Sequence, residues 1–390
     1  MISNVILVNY MRLDELPPAL ELIHCLTEMG ITVHYVSAFD DSKKYSCIFG
    51  DKVKFYHLIN DTRMIPPSSF YQRCKNFIKR KSYENRMSKV FSIFVNDLYQ
   101  KLDNSCLWIL HSYTVEYLKK ELLKSKIPYI FTLYELDERL INQKKNLSAI
   151  YTKAQQVVVP EYARAHIVKA WAKLPYLPPV LPNKSTDMVT SDSIESEIIN
   201  RLKLYKTEGK KIVLYSGIFL RERLLDYLCQ AVRENKDKYA LVFMGRKSEY
   251  LEELLSKYSD VIDYIGFFNP PDHLDYVKYA DFGVIVYNAH NLNTAFCAPN
   301  KIWEYSKFGI PIIANDIPGL RFSVEYNKIG KCCDFENKTD ISKTLDYLLD
   351  RGQEMKENAI NFYESVDIKE IVLNIIEKYE KESRISYESE

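Results

Sequence analysis

The chain has 390 residues, and its 53 Lys and Arg against 52 Asp and Glu leave a formal net charge of +1. This length favours two domains, each able to bury its own core. The balanced charge excludes the broad basic field of a nucleic-acid-binding protein, so no nucleic-acid partner is expected and any anion site must be local.

The first half alternates short apolar strands with helical patterns, which is typical of a parallel sheet covered by helices. Strands are predicted over 4–10, 31–39, 106–112, 128–135 and 155–160. Helices are predicted over 16–30 and 114–125, and a further helix follows the last of these strands. The first half is therefore expected to form one Rossmann-like domain.

The stretch 174–186 separates the two halves, because four prolines in nine residues of "LPYLPPVLP" disfavour a helix and favour an extended connection. The sequence therefore predicts a first domain over 1–178 and a second domain over 179–365. A final amphipathic helix within 366–390 either packs on the second domain or crosses back to the first.

The second half repeats the alternation and predicts a second Rossmann-like domain. Its strands are predicted over 210–217, 239–245, 261–268, 281–287, 310–316 and near 329–333. Helices are predicted over about 222–234 and 248–257, at 299–309, and from 339 onward. The predicted fold class is α/β, with two Rossmann-like domains that face each other across a cleft.

Cysteine usage and the lack of apolar spans predict a cytoplasmic protein. The eight cysteines contain no C-x-x-C spacing, and we interpret them as reduced thiols. The apolar run near the N-terminus is too short for a signal-peptide core, and no segment has the length and apolarity of a membrane span.

Several common catalytic motifs are missing from the sequence. No G-x-G-x-x-G follows the first strand, and there is no G-x-x-x-x-G-K-[ST], H-E-x-x-H or G-x-S-x-G. Usual NAD enzymes, P-loop enzymes, zincins and α/β-hydrolases are thereby disfavoured. Open α/β sheets bind ligands at the carboxyl ends of their strands, so the loops there are the candidate sites.

The stretch "CAPNKIWEYSKFGIPIIANDIPG" carries the first candidate site. Pro299 suits the first turn of a helix, where the N–H groups of Asn300 and Lys301 lack intrahelical partners and attract phosphate. Lys301 adds a positive charge, and Glu304 lies one turn further on, where it can accept hydrogen bonds from ribose hydroxyls. The alternative is an ordinary surface helix in which Lys301 and Glu304 form an ion pair.

Two further segments strengthen the interpretation as a nucleotide site. Arg221 and Arg223 follow the strand over 210–217, where a guanidinium can bind a diphosphate through two hydrogen bonds. Taken alone, Arg223 is better explained as a solvated charge. Phe267 and Phe268 follow another strand and are candidates to flank a nucleobase.

Together these segments resemble the family-4 glycosyltransferases, which have the two-domain B fold (GT-B) and use nucleotide sugars. The matching stretches are "LYSGIFLRERLLDYLCQAV" (214–232), "LVFMG" (241–245), "VIDYIGFFNPPDHLDYVKYADFGVIVY" (261–287) and "NKIWEYSKFGIPIIAN" (300–315). The "APNKIWEY" form is similar to the branch of the family found among capsule and exopolysaccharide enzymes.

The resemblance implies a hexosyltransferase that moves a sugar from a UDP-, GDP- or dTDP-sugar to a glycan or lipid-linked glycan, with retention and without a metal. Arg223 falls on the phosphate-binding position and Glu304 on the ribose-binding glutamate. The implied donor-binding residues are Gly217, Ile218, Arg223, Phe267, Phe268, Ala298, Pro299, Asn300, Lys301 and Glu304. Arg223, Lys301 and His111 are the catalytic candidates, and His111 and Glu135 the candidates for acceptor contact.

One departure from the family leaves other functions open. Family members commonly carry a second glutamate eight positions before the ribose-binding one, but Phe296 stands there. A sugar-nucleotide 2-epimerase of the same fold and a catalytically silent partner protein are the alternatives. The basic, aromatic segment 71–89 is either a solvated helix face or a peripheral contact with an anionic membrane.

Overall fold

The computed structural model describes residues 1–13, 16–58, 88–136, 146–184 and 196–388. The chain divides into two compact units, Met1–Pro182 with Ile368–Glu390, and Asn183–Asp367. Pro182 lies inside the proline-rich stretch 174–186, a few residues beyond the expected domain end at 178. The basic segment 71–89 falls outside the described residues except for its last two positions.

The first unit is built on a six-stranded parallel sheet with the order β3-β2-β1-β4-β5-β6. Its strands are β1 Asn4–Asn9, β2 Thr32–Ser37, β3 Val53–His57, β4 Ser105–Leu110, β5 Ile130–Thr132 and β6 Gln156–Val158. The central strands are apolar along nearly their whole length because helices cover both faces of a parallel sheet. The direction of strand order reverses between β1 and β4.

Helices flank this sheet along the chain. They span Pro17–Glu28, Ser42–Phe49, Ser112–Lys124, Asn146–Lys153, Tyr162–Ala172 and Ile368–Glu388, with a 3₁₀ turn at Gly50–Lys52 and a helical segment over 88–101. The last helix, Ile368–Glu388, belongs to this first unit. Gln156 Nε2 donates to the carbonyl of Ile375 at 2.7 Å, and Tyr379 Oη donates to the carbonyl of Pro128 at 3.0 Å.

The second unit repeats the architecture with the strand order β12-β11-β10-β7-β8-β9. Its strands are β7 Lys211–Ser216, β8 Tyr239–Met244, β9 Ile262–Gly266, β10 Phe282–Ile285, β11 Ile312–Asn315 and β12 Gly330–Cys333. Counted from its own first strand, this sheet has the same 3-2-1-4-5-6 order as the first, which is the Rossmann order. The prediction of two Rossmann-like α/β domains is confirmed.

The helices of the second unit connect successive parallel strands. They span Ser196–Thr207, Leu225–Glu234, Glu249–Lys257, Leu274–Val277, Leu292–Ala295, Asn300–Lys307, Pro318–Leu320 and Lys338–Glu364, with a 3₁₀ turn at Arg221–Arg223 and a π-helical turn at Arg321–Glu325. The helix predicted from about 222 begins later, at Leu225, because Leu224 adopts a left-handed conformation with φ +52°. Within the described parts of the chain, no helix is both long enough and apolar enough to cross a bilayer.

The helix Asn300–Lys307 is fixed over the middle of the second sheet by Tyr305. The phenol is buried, and its Oη donates to the carbonyl of Leu214 in β7 at 3.2 Å. Its ring lies on β10 at Gly283, where an added Cβ would come within 2.4 Å of Tyr305 Cδ2. The helix therefore sits across β7 and β10, the pair of strands between which the strand order reverses.

Candidate donor-nucleotide site

The loops after β7 and β8 pack so closely that only glycine fits. Gly217 has φ +153°, and a Cβ there would lie 3.3 Å from Lys301 Cε. A Cβ on Gly245, which has φ +157°, would come within 1.9 Å of the carbonyl oxygen of Gly217. The aliphatic part of Lys301 therefore lies directly over the backbone at the end of β7. This is the reversal point of the sheet, where open α/β sheets bind their ligands.

Glu304 is a buried carboxylate between two basic groups. Its side chain is 8% exposed, and its Oε2 lies 3.6 Å from Lys301 Nζ, while its Oε1 lies 3.4 Å from His273 Nε2. Burial by itself raises the pKa of Glu304, but the charges of Lys301 and His273 outweigh it and lower the pKa from 4.5 to about 2. Oε2 accepts no hydrogen bond from any described residue. The carboxylate is therefore ionised and keeps unused acceptor capacity.

These contacts distinguish the site from an ordinary surface helix. Lys301 and Glu304 do approach each other as residues three apart on a helix should, but Glu304 is buried rather than solvated. A buried carboxylate costs several kcal/mol unless charges and hydrogen bonds compensate it. Lys301 and His273 supply that compensation, so the pair is a buried ionic contact rather than a solvated one.

The helix begins with its first N–H groups uncapped by a side chain. Pro299 is the N-cap residue rather than part of the first turn, and Asn300 is the first helical residue. The preceding loop is held by Asn183, whose Nδ2 donates to the carbonyl of Ala298 at 2.9 Å. Such an end carries the positive pole of the helix dipole and suits an anion.

Arg223 is fixed beside the same strands. Its guanidinium donates to the carbonyl of Val286 and lies 3.9 Å from the ring centroid of Tyr287, which follows β10. Asn315, at the end of β11, accepts from the Tyr287 N–H at 2.8 Å and donates to the Tyr287 carbonyl at 2.6 Å. Arg221 is exposed instead and pairs with Glu253. Of the two arginines, Arg223 is the one placed at the reversal of strand order.

The two phenylalanines after β9 have different surroundings. Phe267 is 42% exposed, and the guanidinium of Arg246 lies 4.4 Å from its ring centroid. Phe268 is partly buried and stacks on Tyr276 with ring centroids 4.0 Å apart. Contact of both rings with a nucleobase stays a prediction. Ile218, also predicted to bind the donor, is exposed, and its carbonyl accepts from Tyr215 Oη at 2.6 Å.

In the first unit, the structure brings His111 and Glu135 together. His111 follows β4 with φ +68°, and its Nδ1 accepts the N–H of Tyr113 at 3.2 Å. The ring proton therefore lies on Nε2, which is 3.8 Å from Glu135 Oε2. Both residues lie at carboxyl ends of strands, next to the reversal between β1 and β4. Their contact with an acceptor stays a prediction.

Three residues that build this site carry no signal in the sequence. His273 lies in the loop after β9, Tyr287 after β10, and Asn315 at the end of β11. His273 contacts Glu304 and Tyr287 contacts Arg223, while Asn315 holds Tyr287 through two hydrogen bonds. Among the described residues, no group of three or more His, Cys, Asp or Glu side chains is arranged to hold a metal ion.

Comparison with known proteins identifies the domain that carries the site. Residues 197–364 match the family described as "Glycosyl transferases group 1". The matched stretch is therefore similar to group 1 glycosyltransferases. It contains Arg223, His273, Lys301 and Glu304, so all four lie inside the match.

A curated relative agrees with this assignment. An uncharacterized glycosyltransferase of Haemophilus influenzae is 23% identical over 203 residues, which is 48% of this chain and 54% of that relative. The match thus spans about half the length of the relative. The match supports the similarity to glycosyltransferases but does not define the activity of the whole protein.

Two solved structures have the same architecture as this chain. Alr3699/HepE of Anabaena, solved in complex with UDP and glucose, has 12% sequence identity and a TM-score of 0.69, covering 97% of this chain and 99% of that one. Sucrose-phosphate synthase of Thermosynechococcus elongatus has 14% identity and a TM-score of 0.65, covering 99% and 98%. At such identities the likeness shows the fold, which is the predicted GT-B fold.

Proposed function

We propose that this protein is a glycosyltransferase that moves a sugar from a nucleotide-diphosphate sugar to a glycan or lipid-linked glycan, in the cytoplasmic part of surface-polysaccharide synthesis. The observation that supports it best is the buried Glu304 carboxylate beside Lys301, at the reversal of strand order in the stretch that matches group 1 glycosyltransferases. The acceptor class and the polysaccharide role rest on the "APNKIWEY" resemblance.

In this proposal the donor diphosphate binds between Arg223, Lys301 and the uncapped start of the helix Asn300–Lys307. These groups would stabilise the negative charge that grows on the leaving diphosphate, which is electrostatic catalysis and needs no bound metal. Glu304 would accept hydrogen bonds from the ribose hydroxyls. UDP is the first nucleotide to test because the HepE structure contains it, and GDP and dTDP are the next.

The proposed reaction proceeds with retention of configuration. The bond between the anomeric carbon and the diphosphate oxygen breaks as the acceptor oxygen bonds to the same face of that carbon. The acceptor hydroxyl gives its proton to the departing phosphate oxygen, so no protein nucleophile is required. His111 and Glu135 are the candidates to contact the acceptor, and Phe296 stands where relatives commonly place an acid near the donor sugar.

The direct test combines nucleotide binding with transfer. We expect UDP, GDP or dTDP to raise the melting temperature, since a ligand that binds only the native state stabilises it. With the matching donor and a glycan acceptor, Arg223→Ala and Lys301→Ala should each reduce kcat/KM by roughly 100-fold or more, as expected when a group that stabilises transition-state charge is removed.

Matched controls come from the same two elements. Arg221→Ala removes an exposed arginine two positions from Arg223, and Lys307→Ala removes a lysine from the last turn of the Lys301 helix. Both should retain transfer close to the wild-type rate. Wild-type rates in folded Arg223→Ala and Lys301→Ala would show that the site is assigned wrongly.

The same assays separate the alternatives. Conversion of the donor sugar to its C2 epimer without any acceptor would identify a 2-epimerase. Nucleotide binding without turnover on a broad donor and acceptor panel would indicate a silent partner protein, the alternative that Phe296 leaves open. Transfer of the sugar to an acceptor would exclude both the 2-epimerase and the silent partner protein.

A further inference from the structure

We infer that His273 is a positioning residue that keeps Glu304 aimed at the donor ribose when Lys301 turns to the diphosphate. The inference rests on the proposed function, because it assigns separate roles to His273 and Lys301 around the carboxylate of Glu304 that is proposed to bind the ribose. No sequence motif marks His273, and its place in the site follows from its contact with Glu304 alone.

The two groups that hold Glu304 differ in how freely they can leave it. Lys301 has a flexible four-carbon chain that is 24% exposed, so its ammonium can move with little cost. His273 is 12% exposed and has a short side chain. The backbone N–H of His273 donates to the carbonyl of Asn269 at 3.3 Å. Its backbone carbonyl accepts from the N–H groups of Tyr276 and Val277, each at 3.2 Å.

One ammonium group cannot neutralise two anions at once. If Lys301 binds the diphosphate, the buried Glu304 loses the charge 3.6 Å from its Oε2. A buried carboxylate left without a donor is strongly destabilised or rotates toward water. His273 Nε2, 3.4 Å from Oε1, is the donor that remains and leaves Oε2 open to a ribose hydroxyl.

The other nitrogen of His273 supports a role in ligand binding. Nδ1 is buried and has no hydrogen-bond partner within the described residues, and Glu304 Oε2 shares this property. A histidine that serves only the fold normally satisfies both ring nitrogens, since an unpaired buried polar atom destabilises the folded state. An unpaired ring nitrogen beside a carboxylate oxygen that meets only the ammonium of Lys301 favours a site completed by a ligand.

The experiment measures preference for ribose hydroxyls. The dissociation constant of whichever of UDP, GDP and dTDP stabilises the full-length protein is compared with that of its 2′,3′-dideoxy analogue, which lacks two hydroxyls of UDP or GDP and the single 3′-hydroxyl of dTDP. Hydrogen bonds to a charged acceptor should make the wild type prefer the natural nucleotide by about tenfold or more. His273→Leu should lower this preference to within about threefold, whereas His273→Gln, whose amide can still donate to Glu304, should restore most of it.

Further variants separate a positioning role from general damage. His166→Leu, which changes an exposed histidine of the first unit, should keep the full preference. If His273→Leu does not fold, His273→Asn takes its place, because the shorter amide cannot reach Glu304. Loss of the preference in His273→Asn and its recovery in His273→Gln would support the inference equally.

The outcomes distinguish this inference from the proposed function. Loss of the preference in Glu304→Gln together with full preference in folded His273→Leu would overturn the role of His273 and leave Glu304 as the ribose ligand. Full preference in Glu304→Gln would overturn the ribose role of Glu304 and this inference with it, and leave transfer itself to the Arg223→Ala and Lys301→Ala assays. No binding of any of the three nucleotides to the wild type would overturn the proposed function.

Discussion

At the scale of single residues, Glu304 shows how neighbouring charges keep a buried acid ionised. Burial opposes its charge, but Lys301 and His273 together lower its pKa to about 2. The ionised form of Glu304 is therefore more stable in the folded chain than in the unfolded chain, where the pKa of this carboxyl is near 4.5. Its contribution to stability is complete above pH 4.5 and is lost as the pH falls toward 2.

This linkage predicts a pH-dependent difference between the wild type and Glu304→Gln. The difference in unfolding free energy should be largest at neutral pH and should shrink as the pH is lowered from about 5 to 3, because an amide does not titrate. Urea unfolding at a series of pH values measures it. Glu222→Gln, which changes an exposed carboxylate of the same unit, is the control and should show a nearly constant difference. A constant difference for Glu304→Gln would contradict the buried, charged state.

At this scale the sequence predicted contacts between residues close together in the chain and missed contacts between distant residues. Lys301 and Glu304 lie one turn apart on a helix, so their proximity follows from helical spacing alone. His273 lies in a polar loop before the helix Leu274–Val277 and has no repeating pattern around it. Its contact with Glu304 depends on how two helices pack, which spacing along the chain does not encode.

At the scale of elements, the site depends on how closely the helix Asn300–Lys307 approaches the sheet. Tyr305 fills the space that Gly283 leaves on β10. The sequence predicted both elements, but their ends shifted with pairing. The strand predicted over 128–135 is limited to Ile130–Thr132, because only those residues pair with β4 and β6. Strand ends are set by partners that a single segment does not specify.

Two glycine substitutions test this packing with opposite expected signs. Gly283→Ala places a Cβ 2.4 Å from the Tyr305 ring and should cost about 1–3 kcal/mol or more of unfolding free energy. Gly352→Ala, in the helix Lys338–Glu364, meets nothing within 4 Å and should stabilise the protein by about 0.5–1 kcal/mol. Denaturant unfolding compares them. Equal effects would show that Tyr305 does not pack on β10 as described.

At the scale of the whole molecule, the C-terminal end of the chain belongs to the first unit rather than the second. The sequence left the final helix open between the two domains, since amphipathic spacing shows that a face is buried but not against what. Val372, Ile375, Ile376 and Tyr379 are all buried, and the helix that bears them belongs to the first unit. The last residues of the chain thus complete the fold that the first residues begin.

A substitution in that final helix should therefore affect the first unit selectively. Tyr379→Ala removes a buried phenol and its hydrogen bond to Pro128, and should cost roughly 3 kcal/mol or more. Hydrogen exchange should show reduced amide protection in β4, β5 and β6, with β7 and β8 unchanged. Leu373→Ala, at a position 41% exposed on the same helix, should leave both sheets protected. Lost protection in β7 and β8 instead would place the helix with the second unit.

The amino-acid sequence was enough to predict the fold class, the alternation of strands and helices, and the local chemistry at the start of the helix Asn300–Lys307. These follow from periodicity, prolines, glycines and spacing over a few residues, which act within one segment. The three-dimensional structure was needed to show that His273 meets Glu304, that Tyr287 contacts Arg223 while Asn315 holds Tyr287, and which unit contains the final helix. Those contacts join segments far apart in the chain, so they depend on strand order and helix packing rather than on any local pattern.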